Sequence, residues 1–400
     1  MSRLRTVRFV LILGTLSSFA PLSIDMYLPA FPAMADELRA SPSDIQLTLT
    51  AVSTGLALGQ LIAGPLSDAL GRRRPLLVGL AAFTVVSLLC AAAPSVAILA
   101  VLRLVQGLAG AVGIVIARAV VRDLYSGAAL ARFFSLSLLV NSVALIVGPL
   151  LGGQLLRWAS WRGVFVVLST IGLLSLIVTV LGLPETLPRA NRRAGSVSAS
   201  LRTLWSLLRD RLFVGYASSL ALAFAALFAY ISGASFVLQD RYGLSPQGFS
   251  IVFGTSSLAI MAVSQLNTWL IGRIGPRRLL AVGLTTTVCG CLGVLAALTT
   301  GVGLLGVLPA LFLVAGSNGL VFPNSTALAL ADHPETAGNA SALLGMFQFA
   351  ASGVIAPLVG GGGANAATSM GLVMFLPAAA ALSVFLLLTR DSAVKSIRAE

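Results

Sequence analysis

The chain is 400 residues long, 57% hydrophobic and only 10% charged, with 26 basic against 13 acidic residues and a formal net charge of +13. A soluble domain has about a quarter of its residues charged, so this composition excludes one and describes a protein that crosses a membrane many times. The positive excess does not point to nucleic acid, because the bases are spread over short loops and gather on no amphipathic surface.

Twelve apolar runs are long enough to cross a hydrocarbon core of about 30 Å. They cover residues 9–32, 47–67, 75–93, 96–120, 133–156, 163–183, 212–238, 249–271, 279–299, 302–330, 337–359 and 368–388, here spans one to twelve of an all-α polytopic membrane protein. The start, with Arg3, Arg5 and Arg8 before an apolar stretch and Ala33-Met34-Ala35 behind it, has the outline of a cleaved secretion signal. Cleavage is not expected, since the run exceeds a signal core, carries Asp25 and orients the spans that follow.

Positive charge sets the orientation. With both termini in the cytoplasm, 21 of the 26 basic residues fall on cytoplasmic segments, four lie in outer loops and one, Arg103, lies inside a span. Residues 189–211, rich in arginine and with a Gly/Ser stretch at 195–200, read as a linker between six-helix halves at 1–188 and 212–400.

Span one carries Asp25 and span four Arg103, the two formally charged side chains well away from either face. A charge in mid-helix costs about 2.5 to 3.5 kcal/mol on insertion scales, so it belongs against a cavity or a partner. Counting at 1.5 Å per residue puts both about 10 Å below the outer edge, in one layer. Two readings follow: a structural ion pair, or a proton site in which burial favours the neutral carboxyl and a nearby guanidinium the ionised one. One proton crossing 100 mV yields about 2.3 kcal/mol, enough for about a fiftyfold gradient of a neutral solute. No Walker-type loop is present, so the proton gradient rather than ATP is the expected energy source, with no cofactor.

Between spans two and three runs Gly64-Pro-Leu-Ser-Asp68-Ala-Leu-Gly71-Arg72-Arg-Arg74, a turn with an acid before its glycine and three arginines after it. An ordinary positive-inside loop accounts for the arginines but not for the acid. The segment Gly272 to Arg278 between spans eight and nine repeats the glycine and two final arginines, with Gly272 in place of the acid.

This spacing resembles the loop signature between helices two and three of the major facilitator superfamily. The resemblance implies a cytoplasmic latch of Gly64, Asp68, Gly71 and Arg72, with Asp123 as its partner. A narrower match starts at Ser23-Ile-Asp25-Met-Tyr27-Leu-Pro-Ala-Phe-Pro32, which resembles the first helix of the Bcr/CflA (bicyclomycin/chloramphenicol resistance) branch of drug:proton antiporters. Further matches run along the whole chain, among them Arg103-Leu-Val-Gln106-Gly107, Trp161-Arg162, Leu183-Pro-Glu185-Thr-Leu187 and Phe322-Pro-Asn324. In that branch Asp25 and Arg103 match the acid and arginine of coupling and drug binding. Gly148, Pro149, Gly152 and Gly153 resemble the antiporter motif, whose proline bends the helix and whose glycines allow close approach to the other half. Upstream, Val140 and Ala144 stand where antiporters favour glycine.

Uncharged polar groups expected at cavity depth are Tyr27, Gln60, Gln106, Asn141, Tyr230, Gln265, Asn318 and Gln348; with Phe19, Phe224, Phe228 and Phe347 they suit an amphiphilic ligand better than a sugar. Cys90, Cys289 and Cys291 lie in apolar runs and read as buried thiols, and the single His333 as a solvated side chain; no metal site is expected. The expected activity is proton-coupled efflux of a small antibiotic, a phenicol or bicyclomycin, by alternating access from the bacterial inner membrane. The protein is expected to work as a monomer in the bilayer, with drug and protons as partners. The alternatives are an exporter of an endogenous metabolite or amino acid and, more remotely, a membrane-embedded enzyme or sensor, for which no nucleophile–base pair is apparent.

Overall fold

In the computed structural model the described residues are 12–125, 140, 143–189, 192, 197–333, 336–361 and 366–389, and no strand occurs among them. Ten of their helices are long and apolar enough to cross a membrane. These are span two (Pro42–Leu70), three (Arg73–Ala91), four (Val96–Leu124), six (Arg162–Gly182), seven (Arg211–Phe236), eight (Pro246–Ile274), nine (Pro276–Thr300), ten (Leu304–Leu330), eleven (Ala337–Gly360) and twelve (Ala366–Leu388). Span five is described from Val143 to Leu155. Span one is interrupted: helix Phe19–Asp25, a 3-10 turn Leu28–Ala30, then helix Phe31–Leu38. Side chains such as Val78, Leu181 and Leu305 are 70, 76 and 86% exposed, an outer surface built for lipid rather than water.

Local chemistry sets the helix ends. Ser41 and Asp44 close a capping box on span two, with Pro42 in the first helical position where its missing N–H costs nothing. Gly71 ends that helix at φ +90° and Gly275 precedes span nine at φ +84°, a backbone region that suits glycine. The two matching loops therefore share a conformation as well as a sequence pattern.

By contacts the chain forms two units, Met1–Val197 with Pro246–Gly254, and Ser198–Ser245 with Thr255–Glu400. In the first, spans two and four pack backbone to backbone: a Cβ on Gly55 would strike the carbonyl of Leu104, and one on Gly107 that of Val52. That approach holds Arg103 and Gln106, on the same helix, inside the bundle. In the second, span seven runs through the core, with Phe213, Tyr216 and Leu220 packed on Leu280, Leu284 and Phe385.

Three expectations change. The linker is not only a Gly/Ser tether but contains a helix, Val197–Arg209, because leucines recur at helical spacing through 201, 204 and 208. His333 is partnered: its Nε2 lies 2.9 Å from Asp210 Oδ2 and its ring meets Phe213 edge-on at 5.6 Å. Cys90 and Cys291 are buried, but Cys289 is exposed on the outer side of span nine.

Candidate functional site

The break in span one is where its chemistry begins. Pro29 has no N–H to offer the carbonyl of Asp25 four residues earlier, so the helix cannot continue past this point with its ladder intact. It stops at Asp25, and the carbonyl of Ser23 is left without the partner that Tyr27 N–H would have given. Arg103 takes that carbonyl: its Nη2 donates to Ser23 O at 2.6 Å. The guanidinium thus caps the negative end of a half-helix, the favourable place for a cation.

Arg103 is wholly buried; its Nε has no hydrogen-bond partner, but its other terminal nitrogen and its faces are engaged. Nη1 donates to Gln106 Oε1 at 2.5 Å, while the group stands 4.2 Å over the Tyr27 ring and 5.5 Å from that of Phe165. Gln106 in turn donates to Ser87 Oγ at 2.6 Å, and the Tyr27 hydroxyl lies 3.3 Å from Thr48 Oγ1. Phe19 stacks on Phe83 at 4.6 Å beside this network. Spans one, two, three, four and six all contribute.

Asp25 lies in the same layer but stands apart from it. It is 2% exposed, its Oδ2 has no hydrogen-bond partner, and among the described residues no ion pair joins it to Arg103. The structural ion pair entertained from sequence is therefore absent, because the helix end, Gln106 and two rings already hold the guanidinium. What does meet Asp25 is span five. A Cβ on Gly148 would lie 3.6 Å from Asp25 Cβ, and one on Gly152 would run into the carbonyl of Met26. Gly153 meets Ser250 and Pro246 O, and Gln247 donates to its carbonyl at 2.7 Å. Two of the motif's glycines thus serve close packing on span one of their own unit, not only on a segment from later in the chain. Val140, a departure from the glycine pattern, faces Gly14 of span one, so the missing glycine is supplied from the opposite side.

The latch residues come together around one arginine. Arg72 Nη1 is 2.5 Å from Asp68 Oδ1 and 2.8 Å from Ser67 Oγ, and its Nε is 2.9 Å from Asp123 Oδ2. Burial acts against the charge of Arg72, but Asp123 and Asp68 outweigh it and raise its pKa further. Sequence reasoning gave Glu185 no role, yet it accepts from the amides of Arg72 at 2.8 Å, Arg73 at 3.3 Å and Leu187 at 3.1 Å. Burial pushes its pKa up, and the three amides with Arg192 pull it below the usual carboxylate value. Thr186 adds a hydrogen bond to Asp123 at 3.0 Å. The signal that could have found them is Pro-Glu-Thr at the end of span six, an acid aimed at a helix start. All these partners belong to the first unit. Gly64 has open space where a Cβ would stand.

The remaining cavity candidates divide. Gln60 is buried, Gln265 is exposed, Gln348 is half-buried, and Asn141 lies outside the described residues. In the second unit the Tyr230 hydroxyl lies 3.1 Å from Ser256 Oγ; Asn318 donates to Val314 O at 2.8 Å and keeps its buried Oδ1 unpartnered. Phe224 gathers Phe228, Phe322 and Phe349 at 5.8 to 5.9 Å, an uncharged aromatic cluster of which Phe322 and Phe349 were not anticipated.

Comparison with known proteins follows the same lines. The family model described as Major Facilitator Superfamily matches residues 13–357. The chain is 42% identical over 386 residues to the uncharacterized MFS-type transporter YdgK of Bacillus subtilis, covering 95% of each. It is 32% identical over 355 residues to a bicyclomycin resistance protein homolog of Haemophilus influenzae, covering 88% of this chain and 89% of that one. With a chloramphenicol resistance protein of Pseudomonas aeruginosa it shares 33% over 293 residues, 72% of this chain and 68% of the relative. Among solved structures a D-xylose-proton symporter superposes with a TM-score of 0.76 at 16% identity, over 97% of this chain and 99% of that one, a likeness of fold.

Proposed function

This chain belongs to the Major Facilitator Superfamily and to its bicyclomycin and chloramphenicol resistance branch, and from that premise we propose that it exports small antibiotics in exchange for protons. It is a multi-pass membrane transporter and not an enzyme. The finer reading places it in the inner membrane as a monomer with both termini in the cytoplasm, working by alternating access on a phenicol or bicyclomycin.

One observation carries the coupling: a buried carboxylate, Asp25, whose Oδ2 has no partner while the arginine of its own layer is committed elsewhere. A carboxyl with no counter-ion changes its net charge when it takes a proton, which is what drives exchange in a dry layer. Protonation from outside would discharge the site and release drug, and deprotonation toward the cytoplasm would restore it. Gly148 and Gly152, packed on this segment, would transmit the change in span one to span five. Arg103 acts on this reading as the cap that keeps the half-helix ended at Asp25. The aromatic cluster around Phe224 offers the apolar, weakly polar surface that an amphiphilic drug needs.

The test is accumulation of chloramphenicol, florfenicol and bicyclomycin in a drug-sensitive, efflux-deficient bacterium, comparing wild type with Asp25→Asn, with and without a protonophore. Lowered accumulation of one drug, abolished by both treatments at equal expression, supports the reading. Unchanged accumulation of all three would sink the antibiotic assignment, and export that survives Asp25→Asn would move coupling to another group.

A further inference from the structure

The helix Val197–Arg209 runs through Asp210 directly into span seven at Arg211. Asp210 caps that span, its Oδ1 accepting from the amides of Leu212 at 2.8 Å and Phe213 at 3.3 Å, so the linker helix is fixed to the mouth of a membrane span. Its inner side is settled by Leu207, 2% exposed in the core of the second unit, with Leu204 packed against that core. At about 100° per residue, Leu208, Trp205, Arg209 and Arg202 fall within one arc of about 120° on the opposite side. All four are exposed, Trp205 by 58%. Arg209 stands over the Trp205 indole at 5.3 Å. The pairing recurs at the end of span eight, where Arg273 lies 4.5 Å over Trp269, which is 61% exposed. In both, the arginine follows its tryptophan by one helical turn.

We propose that these two Trp–Arg pairs bind anionic phospholipid, with the linker helix lying in the headgroup layer of the cytoplasmic leaflet. The bilayer is the occupant that the spans themselves bring to this level. An indole is favoured at the boundary between acyl chains and headgroups, and Leu208 beside it adds apolar area to the same side. A guanidinium resting one face on an indole keeps its edge N–H groups for phosphate oxygens. Charge is complementary, because the cytoplasmic leaflet is the anionic one. The inference rests on the orientation proposed above and not on what is exported.

The full chain is reconstituted in nanodiscs of phosphatidylcholine, alone or mixed with phosphatidylglycerol. Tryptophan quenching by brominated phosphatidylglycerol is compared with quenching by brominated phosphatidylcholine, and retained phosphatidylglycerol is counted by native mass spectrometry. Brominated phosphatidylglycerol is expected to quench more strongly, and Trp205→Phe and Trp269→Phe each to remove part of that excess. Arg202→Gln with Arg209→Gln is expected to weaken retention at the linker helix about thirtyfold, from about fivefold per arginine at a membrane surface, while the Arg273 pair keeps its share. Arg209→Lys, which keeps the charge and loses the stacked plane, should fall between. Equal quenching by the two brominated lipids, or retention unchanged in the double variant, would overturn the proposal. Because these readouts involve no drug, they can hold while the export assay fails, or fail while it holds.

Discussion

The two latch loops share a backbone and differ in charge. Gly71 (φ +90°, ψ 167°) and Gly275 (φ +84°, ψ 150°) take the same positive-φ, extended-ψ conformation at corresponding helix junctions. Around the first, Arg72 gathers Asp68 and Asp123 while Glu185 holds the amides of residues 72 and 73. Around the second, Gly272 replaces the acid, Pro276 replaces Arg72, and Arg277 bonds the carbonyl of Thr389 at 3.0 Å and rests 5.3 Å from the Phe385 ring. The spans repeat the contrast. Gly107 of span four and Gly319 of span ten both press on a neighbouring backbone, yet the residue four before each is Arg103 in one and Ala315 in the other. Glycine preserves a duplicated packing, and the charges are free to specialise one copy.

The strongest way to break this contrast is to compare the buried groups of each unit. Asp25→Asn is expected to return drug accumulation to that of cells without the protein. Thr287→Val, which removes a neutral hydrogen bond to Ser317 in the second unit, should cost about 1 kcal/mol of stability and leave proton-driven export in place. Export that fails equally in both would mean the first unit is not specialised.

The loops offer a second pair. Arg72→Gln leaves Asp123, 16% exposed, without its cation and is expected to cost about 3 kcal/mol, the low end for breaking a buried pair because Asp68 is half exposed. Arg277→Gln gives up a hydrogen bond to a carbonyl, about 1 kcal/mol. Thermal melting of the purified protein measures both, and equal losses would remove the distinction. A finer comparison uses the glycines. Gly71→Ala and Gly275→Ala each force an alanine into a positive-φ, extended-ψ region essentially reserved for glycine, at a cost of about 1 to 3 kcal/mol. Only at Gly71 would the new methyl also displace the Glu185 carboxylate, whereas Gly275 has open space, so Gly71→Ala should melt lower.

The smallest effect is in pH. Glu185 is depressed in the folded protein, so its contribution is fully present above its unfolded value of about 4.3 and is lost as pH falls through the lower folded value. Melting temperature should decline in acid below about pH 4.3, and Glu185→Gln should lower stability near neutrality and flatten that part of the profile. An unchanged slope in the variant would assign the acid loss to other carboxylates.

Much of this molecule could be read along the chain. The ten helices long enough to cross a membrane begin and end within five residues of where apolar length placed them, because a bilayer demands that each helix satisfy its own backbone and end in polar residues. Span one, which breaks at Asp25 and runs on to Leu38, does not. The latch acid, glycine and arginine were legible from their spacing, and so was the shared layer of Asp25 and Arg103 from counting residues. Glu185 was not, since it reaches its amides from residues more than a hundred positions away.

The sequence by itself thus determined the spans, the pairing of the two loops and the identity of the embedded charges, all of which depend on local polarity and helical rise. Only tertiary structure decided that Arg103 caps a broken helix at the carbonyl of Ser23 rather than neutralising Asp25, and that Gly148 and Gly152 close on Asp25 and Met26. Those outcomes turn on which backbone groups are left unpaired when a proline interrupts a helix and on which neighbour comes within 3 Å of them. Hydrogen bonding at that range is decided by distance and direction, and neither is written in a residue's place along the chain.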